Sequence, residues 1–124
     1  MHALRRIHRA LVPRGMLLDL HPVPPTPIEL HGAELGEVDE REFIPILRAT
    51  EGELERTVRD GLFVHEREVR LEVLEHFESG DELLQHAEGW ENIRLPPEVA
   101  QRARGASEPL VIRHRLVLRR LRAV

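Results

Sequence analysis

The sequence has no cysteine, no lysine and no tyrosine. Without thiols it has no disulfide, no thiolate metal site and no cysteine nucleophile, so stability rests on packing and hydrogen bonds. Its 18 lysine-plus-arginine positions are all arginine, which excludes a Schiff-base mechanism and a phosphate-loop lysine. Aromatic residues are scarce, with three phenylalanines and one tryptophan, and the net charge is −4. The chain thus lacks both the basic field and the stacking surface of a nucleic-acid binder, and no nucleic-acid partner is expected. No apolar run approaches the roughly 18 residues of a membrane span, so no membrane partner is expected either. Arg5, Arg6 and Arg9 near the amino terminus are not followed by a long apolar segment or a small-residue cleavage site. That argues against a secretory signal and makes the cytoplasm the default location.

What is present fits one globular domain over residues 1–124, with 41% hydrophobic and 32% charged residues. Leu4, Ile7 and Leu11 recur at helical spacing, with Arg5, Arg6 and Arg9 on the other side, which predicts an amphipathic helix over 3–12. Pro13 cannot continue it, and Gly15 is expected to take the positive φ that turns the chain into "MLLDL", a short buried strand over Met16–Leu20. Four prolines in "HPVPPTP" require an extended loop. Beyond it, "IELHG" reads as a short edge strand and "AELGEVDE" as an exposed acidic stretch.

Asp39 and Glu42 resemble a capping pair, but Pro45 would cost a running helix a backbone bond, so the main helix is placed from Pro45 onward. Leu47, Leu54, Val58 and Leu62 form its stripe and Gly61 its end. Residues 62–77 switch to a period of two, with Val69, Leu71 and Val73 on one face and Glu66, Glu68, Arg70 and Glu72 on the other. This predicts a long half-buried strand. Ser79 with Glu82 forms a capping box, and Pro96 and Pro97 open another short helix that Gly105 closes. The chain finishes in a second long strand, where Leu110, Ile112, Leu116 and Leu118 alternate with Arg113, Arg115 and Arg119. The expected fold class is α/β, mixed α+β in detail. It has a small mixed sheet with a short parallel-type strand and two long antiparallel strands, flanked by helices.

The phrase "LRRIHRALVPRGMLLDL" resembles a segment of class I S-adenosylmethionine-dependent methyltransferases. There a helix and a Pro-Gly-type turn lead into the fifth strand. The family continues with a helix, a sixth strand, and a seventh strand inserted antiparallel between the fifth and sixth, and the order here is similar. The resemblance implies that residues 2–124 correspond to the carboxy-terminal half of a Rossmann-like methyltransferase fold. It implies equally what is missing. The family's glycine-rich turn after the first strand and the ribose-binding acid after the second have no counterpart, and none of the eight glycines forms a G-x-G pattern.

The functional expectation is therefore a truncated, methyltransferase-like half-domain, the substrate-side part of such an enzyme and inactive alone. The isolated chain is expected to bind no cofactor. S-adenosylmethionine enters only if a cofactor-binding half-domain is supplied as a partner. The alternative is a non-catalytic homo-oligomeric binding or scaffold module. An open edge on the short strand and an uncovered stripe of Leu4, Ile7 and Leu11 imply a homodimer, by pairing of short strands about a twofold axis or by exchange of the long terminal strands.

The substrate-binding candidates are His21, His31 and Glu34. His21 follows the short strand at its carboxyl end, where α/β folds place ligand contacts. His31 and Glu34 come shortly after, and with Glu29 they would make a small polar cluster; the plain alternative is a set of surface loop residues. No helical HExxH spacing supports a metal, so none is assigned. No catalytic residue is assigned. His114 and His65 read as hydrogen-bonded core residues or as catalysts, and Trp90 as core, or as a ligand-stacking surface or partner anchor. The arginines from Arg113 to Arg122 face an acidic strand, which favours cross-strand ion pairs over an anion site. A register opposing Arg113 to Glu72 would also oppose Arg119 to Glu66.

Overall fold

The computed structural model describes residues 2–124; Met1, included in the expected domain, lies outside them. The elements are α1 (His2–Ala10), β1 (Met16–Pro22), β2 (Pro27–Leu30), β3 (Ala33–Glu37), α2 (Ile44–Arg59), β4 (Phe63–Phe77), α3 (Gly80–Ala87), α4 (Pro97–Ala103) and β5 (Leu110–Ala123). They form one mixed α+β arrangement with a five-stranded antiparallel sheet in which β5 pairs with β1, β2 and β4, and β3 pairs with β2. Among the described residues no helix is long and apolar enough to cross a membrane.

The chain divides into two compact units. Unit 1 comprises Met1–His21, Pro45–Leu71 and Leu116–Val124, and unit 2 comprises Pro22–Ile44 and Glu72–Arg115. The long strands β4 and β5 each pass through both.

In unit 1, α1 ends where Pro13 cannot continue it, and the turn is closed by Gly15 N–H donating to the Val12 carbonyl at 2.8 Å. The positive φ falls on Arg14 (62°), not on Gly15 as expected. Gly15 is needed for closeness instead, because a Cβ there would lie 2.9 Å from the Val12 oxygen. β1 then runs beside the carboxy-terminal half of β5, where Ala123 N–H donates to the Gly15 carbonyl at 2.8 Å. The expected parallel-type character of β1 is overturned. Its hydrogen-bonded neighbour is the last strand of the same chain, which returns in the opposite direction. The core of the unit is Leu54, Phe63, Leu121 and Ala123, against which Leu4, Leu11, Leu17 and Val58 pack. Each fully buried large apolar side chain contributes about 1.5–3 kcal/mol relative to exposure.

In unit 2 the stretch read as an exposed acidic segment forms a hairpin with β2, in the register Ile28↔Gly36, Glu29↔Glu34 and Leu30↔Ala33. His31 (φ 55°) and Gly32 (φ 75°) supply the two left-handed residues of its turn. α3 carries its expected cap, with Ser79 Oγ accepting from Glu82 N–H at 3.2 Å, while the Glu82 carboxylate accepts from Glu78 N–H at 2.7 Å. The Asp39–Glu42 capping pair does not form. Asp39 instead accepts from Arg41 N–H at 3.1 Å and pairs through its backbone with Arg94. The core is Ile28, Val38, Phe77, Leu83, Val99, Ala103, Leu110 and Ile112, and Trp90 packs against it.

The long strands depart from simple alternation. β5 buries Leu110 and Ile112 in unit 2 but Val117, Leu121 and Ala123 in unit 1, while Leu116 and Leu118 are half-buried. The buried positions thus change from even to odd along one strand, which no single apolar face predicts. β4 buries only its ends, Phe63 and Phe77, and leaves Leu71 and Val73 exposed. It is an edge strand paired with β5 alone.

Candidate functional site

Strand alternation in β1 places Leu17, Asp19 and His21 on the face toward the unit 1 core and Met16, Leu18 and Leu20 on the other. His21 therefore enters the protein rather than a ligand cleft. Its Nδ1 lies 2.8 Å from Asp19 Oδ2 and its Nε2 2.8 Å from Glu51 Oε1 on α2, with side-chain exposures of 8, 22 and 37% for the three residues. The imidazole lies between the two carboxylates and ties β1 to α2. With both nitrogens engaged, His21 has no free position to offer a substrate.

His31 and Glu34 belong to the hairpin of unit 2 and are exposed. His31 pairs with Glu108. Glu34 stands opposite Glu29 in the hairpin, but the Glu29 carboxylate accepts two bonds at 3.0 Å from Arg113. The three candidates and Glu29 are thus not gathered into one cluster. Among the described residues no group of three or more His, Asp or Glu side chains is arranged to hold a metal ion.

The arginines of β5 pair with β4. Arg113 reaches Glu72 at 2.8 Å in unit 2, and Arg119 reaches Glu68 at 2.8 Å in unit 1, with Arg122 on Glu66 at 3.0 Å. The expected Arg119–Glu66 opposition is replaced, because Glu66 meets Arg120 and Arg122. Hydrogen bonds from Arg113, Arg122 and Arg119 hold Glu29, Glu66 and Glu68 below the usual carboxylate range. Arg113 is pushed higher still by Glu29 and Glu72.

Two further polar groups centre on carboxylates, Glu75 and Glu40, that sequence reasoning did not single out. Glu75 receives two imidazoles in unit 2, His114 Nε2 at 3.0 Å and His86 Nε2 at 3.3 Å. Burial raises the Glu40 carboxyl, opposed by a 2.8 Å hydrogen bond from the buried Thr26 hydroxyl. Neither residue spacing nor a motif links these positions in sequence.

Unit 1 has a groove of about 520 Å³ between α2 and the ends of β4 and β5. Leu54, Val58 and Leu121 form its apolar floor; Arg59, His65 and the Glu68–Arg119 pair form its rim. An apolar floor with few polar groups at the mouth is the usual make-up of a ligand cleft. His65, ambiguous in the sequence, thus lies at a groove mouth. The apolar period of α2 located the floor, whereas the rim depends on which residues of three separate segments meet.

No protein-family model matches the chain, and neither the curated proteins nor the solved structures contain a match to it.

Proposed function

We propose that the chain is a methyltransferase-like half-domain, the substrate-side part of an S-adenosylmethionine-dependent enzyme and not competent for catalysis alone. The observation that carries this reading is strand order within unit 1. β5 runs antiparallel between β1 and β4, and α1 and α2 are the helices that precede and follow β1 there. That is the order the sequence resemblance implies for the fifth, seventh and sixth strands. The hairpin β2–β3 and the helices α3 and α4, all in unit 2, fall outside that set. A second feature agrees with it. Met16, Leu18 and Leu20 retain 47, 56 and 56% of their surface, an apolar row suited to being covered by a cofactor-binding half-domain.

The cofactor itself does not fit the residues present. Gly80 lies at the strand-to-helix turn that follows β4, yet a Cβ there would sit 1.7 Å from the Ala103 carbonyl oxygen. The space beside this glycine is filled by α4, not open to a ligand. The isolated chain is accordingly expected to show no S-adenosylmethionine binding by calorimetry, and a micromolar dissociation constant would overturn the reading. An apolar strand followed by a glycine-rich turn in the reading frame immediately upstream would support it.

The groove beside α2 favours a second reading, a non-catalytic binding module whose ligand sits on Leu54, Val58 and Leu121. A stop codon immediately upstream would weigh for this alternative.

A further inference from the structure

β4 is 15 residues long, pairs on one side only, and leaves Leu71 and Val73 at 38 and 48% exposure. A long, partly apolar edge is a template for another strand, and proteins usually blunt or cover it. Charge alone does not blunt this one, because its charges are self-complementary in one register. The geometry points to a second copy of the chain as the occupant: β4 pairs antiparallel with β4 of another molecule about a twofold axis through Leu71.

In that register Leu71 faces Leu71, Val69 faces Val73, Arg70 faces Glu72, and Arg67 faces Glu75. An apolar centre is flanked on both sides by opposite charges. Arg67 and Arg70 are exposed and have no ion-pair partner among the described residues; the pairing gives Arg70 a share of Glu72, which Arg113 also holds, and Arg67 a share of Glu75, which His114 and His86 also approach. Neighbouring twofold registers are worse. An axis at Arg70 opposes Arg70 to itself and Glu68 to Glu72, and an axis at Glu72 opposes that carboxylate to itself. An axis at Val69 opposes Glu66 to Glu72 and leaves Arg67 against Leu71. Like charges directly opposite are destabilising and unlike charges stabilising, so sequence and edge together select the Leu71 axis.

β1, whose self-pairing the sequence suggested, is a weaker candidate. It has seven residues against the fifteen of β4, ends in Pro22, and carries one acidic side chain, Asp19, and no arginine. An axis at Asp19 opposes two carboxylates, and an axis at Leu18 offers no ion pair.

The test uses the whole chain at low micromolar concentration in an analytical centrifuge, where twice the 14.3 kDa chain mass is expected. Arg70→Glu and Glu72→Arg each place like charges opposite one another and should raise the dissociation constant about tenfold or more. Mixed in equal amounts, the two variants should recover the dimer. The first variant is acidic at both positions and the second basic at both, so every facing pair between them joins opposite charges. Since the chain has no cysteine, Leu71→Cys gives a second readout that does not disturb the charges. It should form a covalent dimer on mild oxidation, whereas Leu20→Cys should not. A monodisperse 14.3 kDa species, a dimer indifferent to both charge reversals, or cross-linking at position 20 but not 71 would each overturn the proposal.

Discussion

Unit 1 and unit 2 use the same two long strands in different ways. The connected apolar core of unit 1 has four buried residues, completed by partly buried side chains of α1, β1 and α2, with Leu47 and Val117 buried outside it, whereas that of unit 2 has eight around the β2–β3 hairpin, α3 and α4. Unit 1 also ties strand to helix through the buried His21, which lies between Asp19 and Glu51, whereas unit 2 joins its strands through Arg113, shared by Glu29 and Glu72. The difference teaches that one β-strand can serve two cores when the buried parity changes along it, from Ile112 to Val117. Unit 2 thus has the larger apolar cluster, and unit 1 a buried imidazole between two carboxylates.

The largest effect should come from the core of unit 2. Leu83 is fully buried among residues of several elements, and Leu83→Ala leaves a cavity that the surrounding backbone cannot close. A loss of about 2–5 kcal/mol is expected from urea unfolding. A loss below about 1 kcal/mol would show that the second core is loosely packed and would reverse the ranking of the units.

A smaller effect should follow His21→Gln in unit 1. The change removes the imidazole between Asp19 and Glu51 and leaves two carboxylates near each other. Because both carboxylates keep some contact with solvent, the expected loss is about 1–3 kcal/mol rather than the full cost of breaking a fully buried pair. Unfolding curves for this variant and for Asp19→Asn, which removes one of the two partners, would measure how far the bridge matters. No change in either would remove the polar half of the comparison.

The smallest expected effect is the response to acid. Asp39 is lowered from 3.8 to about 2, chiefly by its hydrogen bond from the Arg41 side chain, and Glu29, Glu66 and Glu68 are lowered from 4.5. A carboxylate with a depressed folded pKa contributes stability that is present above its unfolded value and lost as pH falls through the folded one. Glu40 has the opposite sign, since burial raises it: its contribution is present at low pH and is lost as pH rises through its folded value. Urea midpoints should therefore fall between about pH 5 and pH 2. Glu40→Gln should be more stable than the parent at neutral pH and lose that advantage in acid. A midpoint that does not move over this range would show that the arginine–carboxylate pairs of the two units contribute equally in the unfolded chain.

Much of the element order was legible because it follows from local patterns. The stripe of Leu54 and Val58 placed α2, Gly61 ended it with a φ of 77°, Ser79 capped α3, and Pro97 opened α4. The β2–β3 hairpin was not legible, because its turn is His31-Gly32 and its second strand, "AELGE", alternates poorly. The candidate site was less legible than the fold. His21 was identified as notable from its place after β1, but its role depends on Glu51, which lies on α2 well beyond the intervening hairpin. Glu75 with His86 and His114, and Thr26 with Glu40, are joined only by folding.

By itself the sequence determined the helices, the two long strands and the exclusion of thiol, lysine and Schiff-base chemistry, because each depends on residue type and short-range spacing. It also carried the opposite charges of β4 and β5 that meet as Arg113–Glu72 and Arg119–Glu68. Only the tertiary structure decided which parity of β5 is buried in each unit, that β1 pairs antiparallel, and that the apolar residues of β4 lie on an open edge. The physical reason is that alternation in a strand specifies two faces but not what covers them. Coverage is set by helices and strands distant in the chain, and it turned His21 inward and left Leu71 outside.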